Sequence, residues 1–142
     1  MPVLKRQSDK VAVLGDIPLF GDLSKRDLAQ IARHVSEVEF VPGDHLMVEG
    51  ESGAEAYVIL EGTATVRRKG KKIAVLGRGD VVGEMSLITD LPRNAAVRAD
   101  TFLPALRIGR KDLDPIMHEF PAVAVKLLRT VAGRLVEGVV SY

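Results

Sequence analysis

The sequence has no cysteine and no tryptophan, and only 4% of its residues are aromatic. Without cysteine there are no disulfides, no thiolate metal ligands and no cysteine nucleophile, which suits a reducing compartment. Few aromatics require an aliphatic core, and 46% apolar residues in a chain of 142 suffice to fill one. No apolar run is long enough to span a membrane. The start, M-P-V-L-K-R-Q-S-D-K, lacks the apolar stretch of a signal peptide. A cytoplasmic location is the expectation. An excess of one charge is also missing. Twenty basic residues against 19 acidic ones leave a net charge of +1, so whole-molecule electrostatics select neither nucleic acid nor a membrane surface.

Converging chemistry of the usual catalytic kinds is absent as well. The three histidines, His34, His45 and His118, stand far apart and in different kinds of element, whereas metal sites need ligands that converge. A metal-dependent roll enzyme is thus disfavoured. No nucleophile–base pair suggests hydrolysis, and the protein is expected not to be an enzyme. The densest charge run is Arg67, Arg68, Lys69, Lys71 and Lys72. Aromatic residues do not interleave with it as in a nucleic-acid platform, and a solvated hairpin tip that protects a sheet edge explains it better.

The pattern that is present divides into three. Residues 9–34 read as helical. A short helix over 9–15 is broken at 16–21, and Ser24 with Asp27 three positions on is a helix start with a capping-box spacing. Leu28, Ile31 and Ala32 continue one face to about His34. From Val35 the period shortens. Strands are expected at 35–41, 45–49, 56–60, 63–68, 73–76, 94–99 and 102–108. Glycine-containing turns separate several of them, with a hairpin tip at 69–72. Short strands at intervals near ten residues indicate a β-sandwich or barrel rather than βαβ units. Helical patterning resumes over 110–119, and Pro121 opens a last helix. There Ala124, Leu127, Leu128, Val131, Leu135 and Val139 recur at helical spacing. Gly133 and Gly138 are expected to weaken this helix by about 1 kcal/mol each relative to alanine. One domain over 1–142 is expected: helices over about 9–34, a β-roll over 35–109, and C-terminal helices over 110–142.

One stretch inside the roll carries recognisable chemistry. Residues 83–99 read G-E-M-S-L-I-T-D-L-P-R-N-A-A-V-R-A. Gly83 lets a ligand or a left-handed turn come close to the backbone. Glu84 opens a short helical turn, and an ionised carboxylate accepts hydrogen bonds as a sugar hydroxyl requires. The following amides, at Met85, Ser86 and Leu87, are expected to be unpaired donors, and Ser86 adds a hydroxyl. Pro92 is expected to end the turn. Arg93 follows in a run of small and apolar residues, and its guanidinium can fork onto two phosphate oxygens. Together these suit a small anion that also carries hydroxyls.

G-E-M-S-L followed by P-R-N-A-A-V-R-A resembles the phosphate-binding cassette of the cyclic nucleotide-binding domain family, which includes regulatory subunits of cyclic AMP-dependent kinase, the bacterial catabolite activator protein and cyclic nucleotide-gated channels. The resemblance extends through V-P-G-D-H-L-M-V-E-G-E-S-G-A-E-A-Y-V-I-L-E-G-T-A-T-V and covers the chain from about Ile17 to the last helix. It implies a mainly β fold, a β-roll of the double-stranded β-helix or jelly-roll kind. N-terminal helices and C-terminal helices would flank it, and a cassette at 83–95 would carry one short helix. It also implies a site. Glu84 would accept from the ribose 2′-OH, and Gly83 with the Met85 and Ser86 amides would approach sugar and phosphate. Arg93 would neutralise the cyclic phosphate, and Asn94 and Ala95 would complete the set. In the family a hydroxyl after the arginine favours cyclic GMP. Asn94 stands there in this chain, which leaves the base open, with cyclic AMP favoured. Val82 replaces the phenylalanine common before the Gly-Glu pair.

The resemblance implies a ligand, cyclic AMP or cyclic GMP, and no further cofactor. Leu135, Val139 or Tyr142 would cap the base. The expected protein is a stand-alone sensor whose C-terminal helix moves and signals to a separate effector or through self-association, without direct DNA binding. The rival reading is a nucleotide-independent interaction module on the same fold.

Overall fold

The computed structural model describes residues 7–138 and 142. Among the described residues four α-helices flank eight strands: α1 (Gln7–Gly15), α2 (Lys25–Ala32), β1 (Ser36–Phe40), β2 (His45–Met47), β3 (Glu55–Ile59), β4 (Ala64–Arg68), β5 (Lys71–Leu76), β6 (Val81–Val82), β7 (Ala96–Ala99), β8 (Leu103–Gly109), α3 (Arg110–Glu119) and α4 (Pro121–Glu137). Two 3-10 helices, Pro18–Phe20 and Glu84–Leu87, interrupt the helical lead and the roll. The strands form two antiparallel four-stranded sheets, ordered β1-β8-β3-β6 and β2-β7-β4-β5. This is the mainly β roll with flanking helices that the glycine-punctuated strand pattern indicates.

Side-chain alternation explains why the first sheet is buried on both faces. On β3 and β8, Ala56, Val58, Leu106 and Ile108 face the helices, where they join Leu14, Phe20, Ile31, Leu113 and Leu127. The intervening Ile59, Leu103 and Ala105 turn inward and meet Met47, Val66, Val82 and Val97 between the sheets. The second sheet keeps one face in solvent. Its edge strand β5 is exposed over Lys71–Ile73, so the basic run lies along a hairpin edge and blunts it.

Local signals set several boundaries. The Ser24 Oγ accepts from the Asp27 amide, and the Asp27 carboxylate accepts from the Ser24 amide, both at 3.1 Å, so the capping box forms. The Asp27 carboxylate also pairs with Lys126 on α4 at 2.8 Å. The Lys126 hydrogen bond lowers the Asp27 pKa, burial works against it, and the Ser24 bonds assist. A depressed carboxyl stabilises the fold above its unfolded pKa of about 3.9 and ceases to do so as the pH falls through the lower folded value. Asp27→Asn is therefore expected to cost about 0.5–1 kcal/mol at pH 7. In urea melts the gap from wild type should close as the pH is taken below the carboxyl range.

Three sequence expectations need correction, and one strand was not expected. Lys71 and Lys72 already belong to β5, so the hairpin tip is Lys69–Gly70 rather than residues 69–72. The two-residue β6 has no periodicity to read and is set by pairing with Tyr57 and Val58. Pro92 does not end the cassette turn, which stops at Leu87; Pro92 instead bridges Ser52 across the roll. Gly138 does not weaken the interior of α4. It closes that helix at φ 70°, with its amide reaching back to the Arg134 and Leu135 carbonyls.

Candidate functional site

Arg93 is fixed from both ends. Its amide donates to the Glu51 carbonyl at 2.8 Å and its carbonyl accepts from the Gly50 amide at 2.9 Å, so the turn after β2 holds its backbone. Its side chain runs between two glycines. A Cβ on Gly53 would lie 2.0–2.5 Å from the guanidinium, and one on Gly83 would lie 2.3 Å from Nη1 and 2.9 Å from the Glu55 carbonyl oxygen. Gly83 also has φ 76°, a conformation that side-chain-bearing residues rarely adopt.

The guanidinium donates to the Ser86 Oγ at 2.6 Å and to the Glu55 carbonyl at 2.9 Å. Both acceptors are neutral, and among the described residues no ion pair includes Arg93. Burial pulls its pKa below the usual arginine value, with Tyr57 and Glu55 acting the other way. Arginine keeps its charge under such a shift. The result is a partly buried cation, at the wall of a cavity, whose direct acceptors among the described residues are neutral.

That cavity, of about 160 Å³, is lined by Met47 of β2, by Gly83, Met85, Ser86 and Thr89, by Leu91, Pro92, Arg93 and Asn94, and by Tyr142. Arg110, at the start of α3, holds the far end of the cassette through the Thr89 carbonyl at 2.5 Å and an ion pair with Asp90. The cassette, the arginine loop and the turn after β2 thus converge on one opening.

Not every residue expected there arrives. Gly83, Met85, Ser86, Arg93, Asn94 and Tyr142 line the cavity. Glu84 does not. Its side chain is 5% exposed and is ion-paired with Arg134 of α4, while its other carboxylate oxygen accepts from the Leu19 amide at 3.0 Å. A carboxylate opening the 3-10 helix is thus held by α4 and the N-terminal 3-10 helix instead of facing the cavity. The fully buried Ala95 packs between the sheets because it leads into β7. Leu135 is 78% exposed on α4 and does not line the cavity. Val139 lies outside the described residues. The expected row of unpaired amides is also reduced. The Ser86 amide donates to the Gly83 carbonyl at 3.0 Å, since the turn is a single 3-10 turn.

Sequence reading missed Gly53, the Glu55 carbonyl and Arg134. Gly53 reads as an ordinary turn glycine, because clearance for a side chain 40 positions away leaves no local mark. Gly53→Ala tests that clearance without the backbone strain that Gly83→Ala would add. Misplacing one charge-assisted donor costs about 1.5–3 kcal/mol. An anion recognised by Arg93 is therefore expected to bind at least about tenfold more weakly to Gly53→Ala, in calorimetric titration, with the fold retained.

Comparison with known proteins bears on the family. A family model described as the cyclic nucleotide-binding domain matches residues 37–120. A cAMP-dependent protein kinase regulatory subunit of Yarrowia lipolytica is 33% identical over 108 residues, 75% of this chain and 29% of that subunit. This chain therefore spans less than a third of that relative. The crystal structure of the N-terminal domain of a transcriptional regulator from Streptomyces coelicolor A3(2) is similar with a TM-score of 0.79 at 37% identity, covering 89% of this chain and 94% of that one. The Thermus thermophilus catabolite activator protein gives a TM-score of 0.68 at 27% identity, covering 85% and 59%. The family match runs from β1 to the end of α3 and takes in the roll, the cassette and Arg93. On that evidence the chain belongs to the cyclic nucleotide-binding domain family.

Proposed function

We propose that this protein is a regulatory sensor that binds a cyclic nucleotide, cyclic AMP in preference to cyclic GMP, and does no chemistry on it. The observation that carries the reading is Arg93: a half-buried cation held at a cavity wall, whose direct acceptors among the described residues are neutral. A cyclic phosphate is a compact monoanion that would supply the missing charge and accept from the forked guanidinium. Ser86 and the Gly83 backbone stand beside it. Asn94, at the rim, carries no hydroxyl of the kind that favours guanine in the family, which is the basis for preferring cyclic AMP.

The output runs through α4. Its inner face is anchored by Val123 and Leu127, while Val125, Leu128 and Leu135 are 44%, 69% and 78% exposed at helical spacing. This outer stripe suits either a second copy of the chain or a separate effector. Arg134 on the same helix is ion-paired with the cassette residue Glu84, so a ligand that shifts the cassette changes the free energy of the helix position. Output at a distance requires such a differential, and here the contact that supplies it is direct. No described helix is long and apolar enough to cross a membrane. Equilibrium dialysis with labelled cyclic AMP, competed by unlabelled cyclic GMP, tests the preference. Equal or stronger competition by cyclic GMP would reverse it.

A further inference from the structure

Tyr142 sits in the cavity that the nucleotide is proposed to use. The Gly83 amide donates to the Tyr142 backbone oxygen at 2.6 Å. This is a cassette amide beside Arg93, and it is occupied by an oxygen of the chain itself. The Tyr142 ring lines the same cavity, packs against the core between the sheets, and lies with its centroid 5.9 Å from the guanidinium carbon of Arg68 on β4. That spacing is within the range of a cation–π contact. Arg68 is itself held in place, since its Nε donates to the Asn94 carbonyl at 2.8 Å. One residue therefore offers an acceptor oxygen to the anion cradle and a flat π-system to an arginine bonded to the cavity residue Asn94. A nucleotide presents the same two features.

We infer that Tyr142 is a tethered competitor for the nucleotide site, so that ligand binding requires its displacement rather than its closure over the ligand. The inference rests on the cyclic nucleotide reading of the site and reverses the role of a base cap. Two observations favour displacement. The Gly83 amide has a single proton to donate and gives it to Tyr142. With Tyr142 in place, the remaining cavity of about 160 Å³ falls below the roughly 300–1,000 Å³ usual for small-molecule sites. Tyr142 stands four positions beyond Gly138, the cap of the helix that bears Arg134, so the occupant of the cradle and that helix are close neighbours along the chain. Occupancy of the cradle and the state of the C-terminal end are thereby linked.

The test uses the full chain, Tyr142→Ala and a variant lacking Tyr142 alone. Each is titrated calorimetrically with cyclic AMP, and the Gly83 amide of the nucleotide-free protein is followed by NMR. A self-contact populated about nine-tenths of the time weakens apparent affinity about tenfold. Binding should therefore tighten by about that factor when Tyr142 is lacking, and by less in Tyr142→Ala, which keeps the backbone oxygen. The Gly83 amide should shift when Tyr142 is removed. Weaker binding in the variants would show Tyr142 to be a cap and overturn the inference, as would unchanged affinity. If no form binds cyclic nucleotide, the reading of the site fails. The Gly83 amide then decides the self-contact alone: a shift on removing Tyr142 upholds it, and an unmoved resonance overturns it.

Discussion

Exchanging Arg93 for lysine is expected to weaken cyclic nucleotide binding by about a hundredfold while leaving the fold intact. The charge is kept, so the loss isolates geometry. Arginine presents a planar fork that can satisfy two phosphate oxygens, whereas lysine presents a compact, strongly hydrated point charge. Here the guanidinium spans from the Ser86 Oγ to the Glu55 carbonyl, one neutral acceptor on each side, and passes between Gly53 and Gly83. An ammonium cannot bridge both walls. One or two charge-assisted bonds at about 1.5–3 kcal/mol each give the stated factor, since 1.4 kcal/mol is tenfold. Calorimetric titration measures the loss, and circular dichroism checks the fold. The backbone of residue 93 stays pinned by Glu51 and Gly50, so the roll has no reason to unfold. A lysine variant that binds as tightly as wild type would remove Arg93 from the site.

Truncating Arg134 is expected to have the largest effect on stability. Arg134→Ala leaves the Glu84 carboxylate buried beside the Leu19 amide without its cation. Breaking a buried pair by removing one partner typically costs 3–5 kcal/mol, because the remaining charge is not resolvated. With Arg134 itself 14% exposed, some water reaches the pair, and a loss near 3 kcal/mol is expected in urea melts. Replacing both residues, Arg134→Met with Glu84→Gln, should recover most of it, because no uncompensated charge is then left. The non-additivity of the cycle measures the coupling. A loss below about 0.5 kcal/mol in Arg134→Ala would place the pair among ordinary surface ion pairs. The link between cassette and α4 would then lose its energetic basis.

The sequence was most legible where structure is local. Ser24 and Asp27 are three residues apart, and their capping box forms as their spacing indicates. Glycine-bounded alternation marks the roll because each strand of an antiparallel sheet declares its buried face separately. Pro121 opens α4, and α3 runs over 110–119 as its pattern suggests, even with Pro115 inside it. The cassette stretch could be found because Gly83, Ser86 and Arg93 fall within a dozen residues.

What remained hidden depends on distance along the chain. Arg134 stands 50 residues from Glu84, and on α4 it reads as an ordinary helix arginine. A carboxylate that looks suited to a sugar hydroxyl turned out to be held by a helix and by an N-terminal amide. Gly53 clears space for a side chain 40 residues on. β6 exists because Tyr57 and Val58 offer it a ladder, not because two valines prefer to be extended. Helical periodicity in α4 likewise identifies an apolar residue such as Leu135 without saying which neighbour it meets, and it proved to face solvent. Each miss is a tertiary contact whose two halves look unremarkable when read singly.

The most direct measurement is a calorimetric titration of the wild-type chain with cyclic AMP. A half-buried Arg93 whose direct acceptors among the described residues are neutral should give saturable binding of one nucleotide per chain in the micromolar range or tighter. No heat of binding below millimolar cyclic AMP or cyclic GMP would contradict the assignment of this site to a cyclic nucleotide.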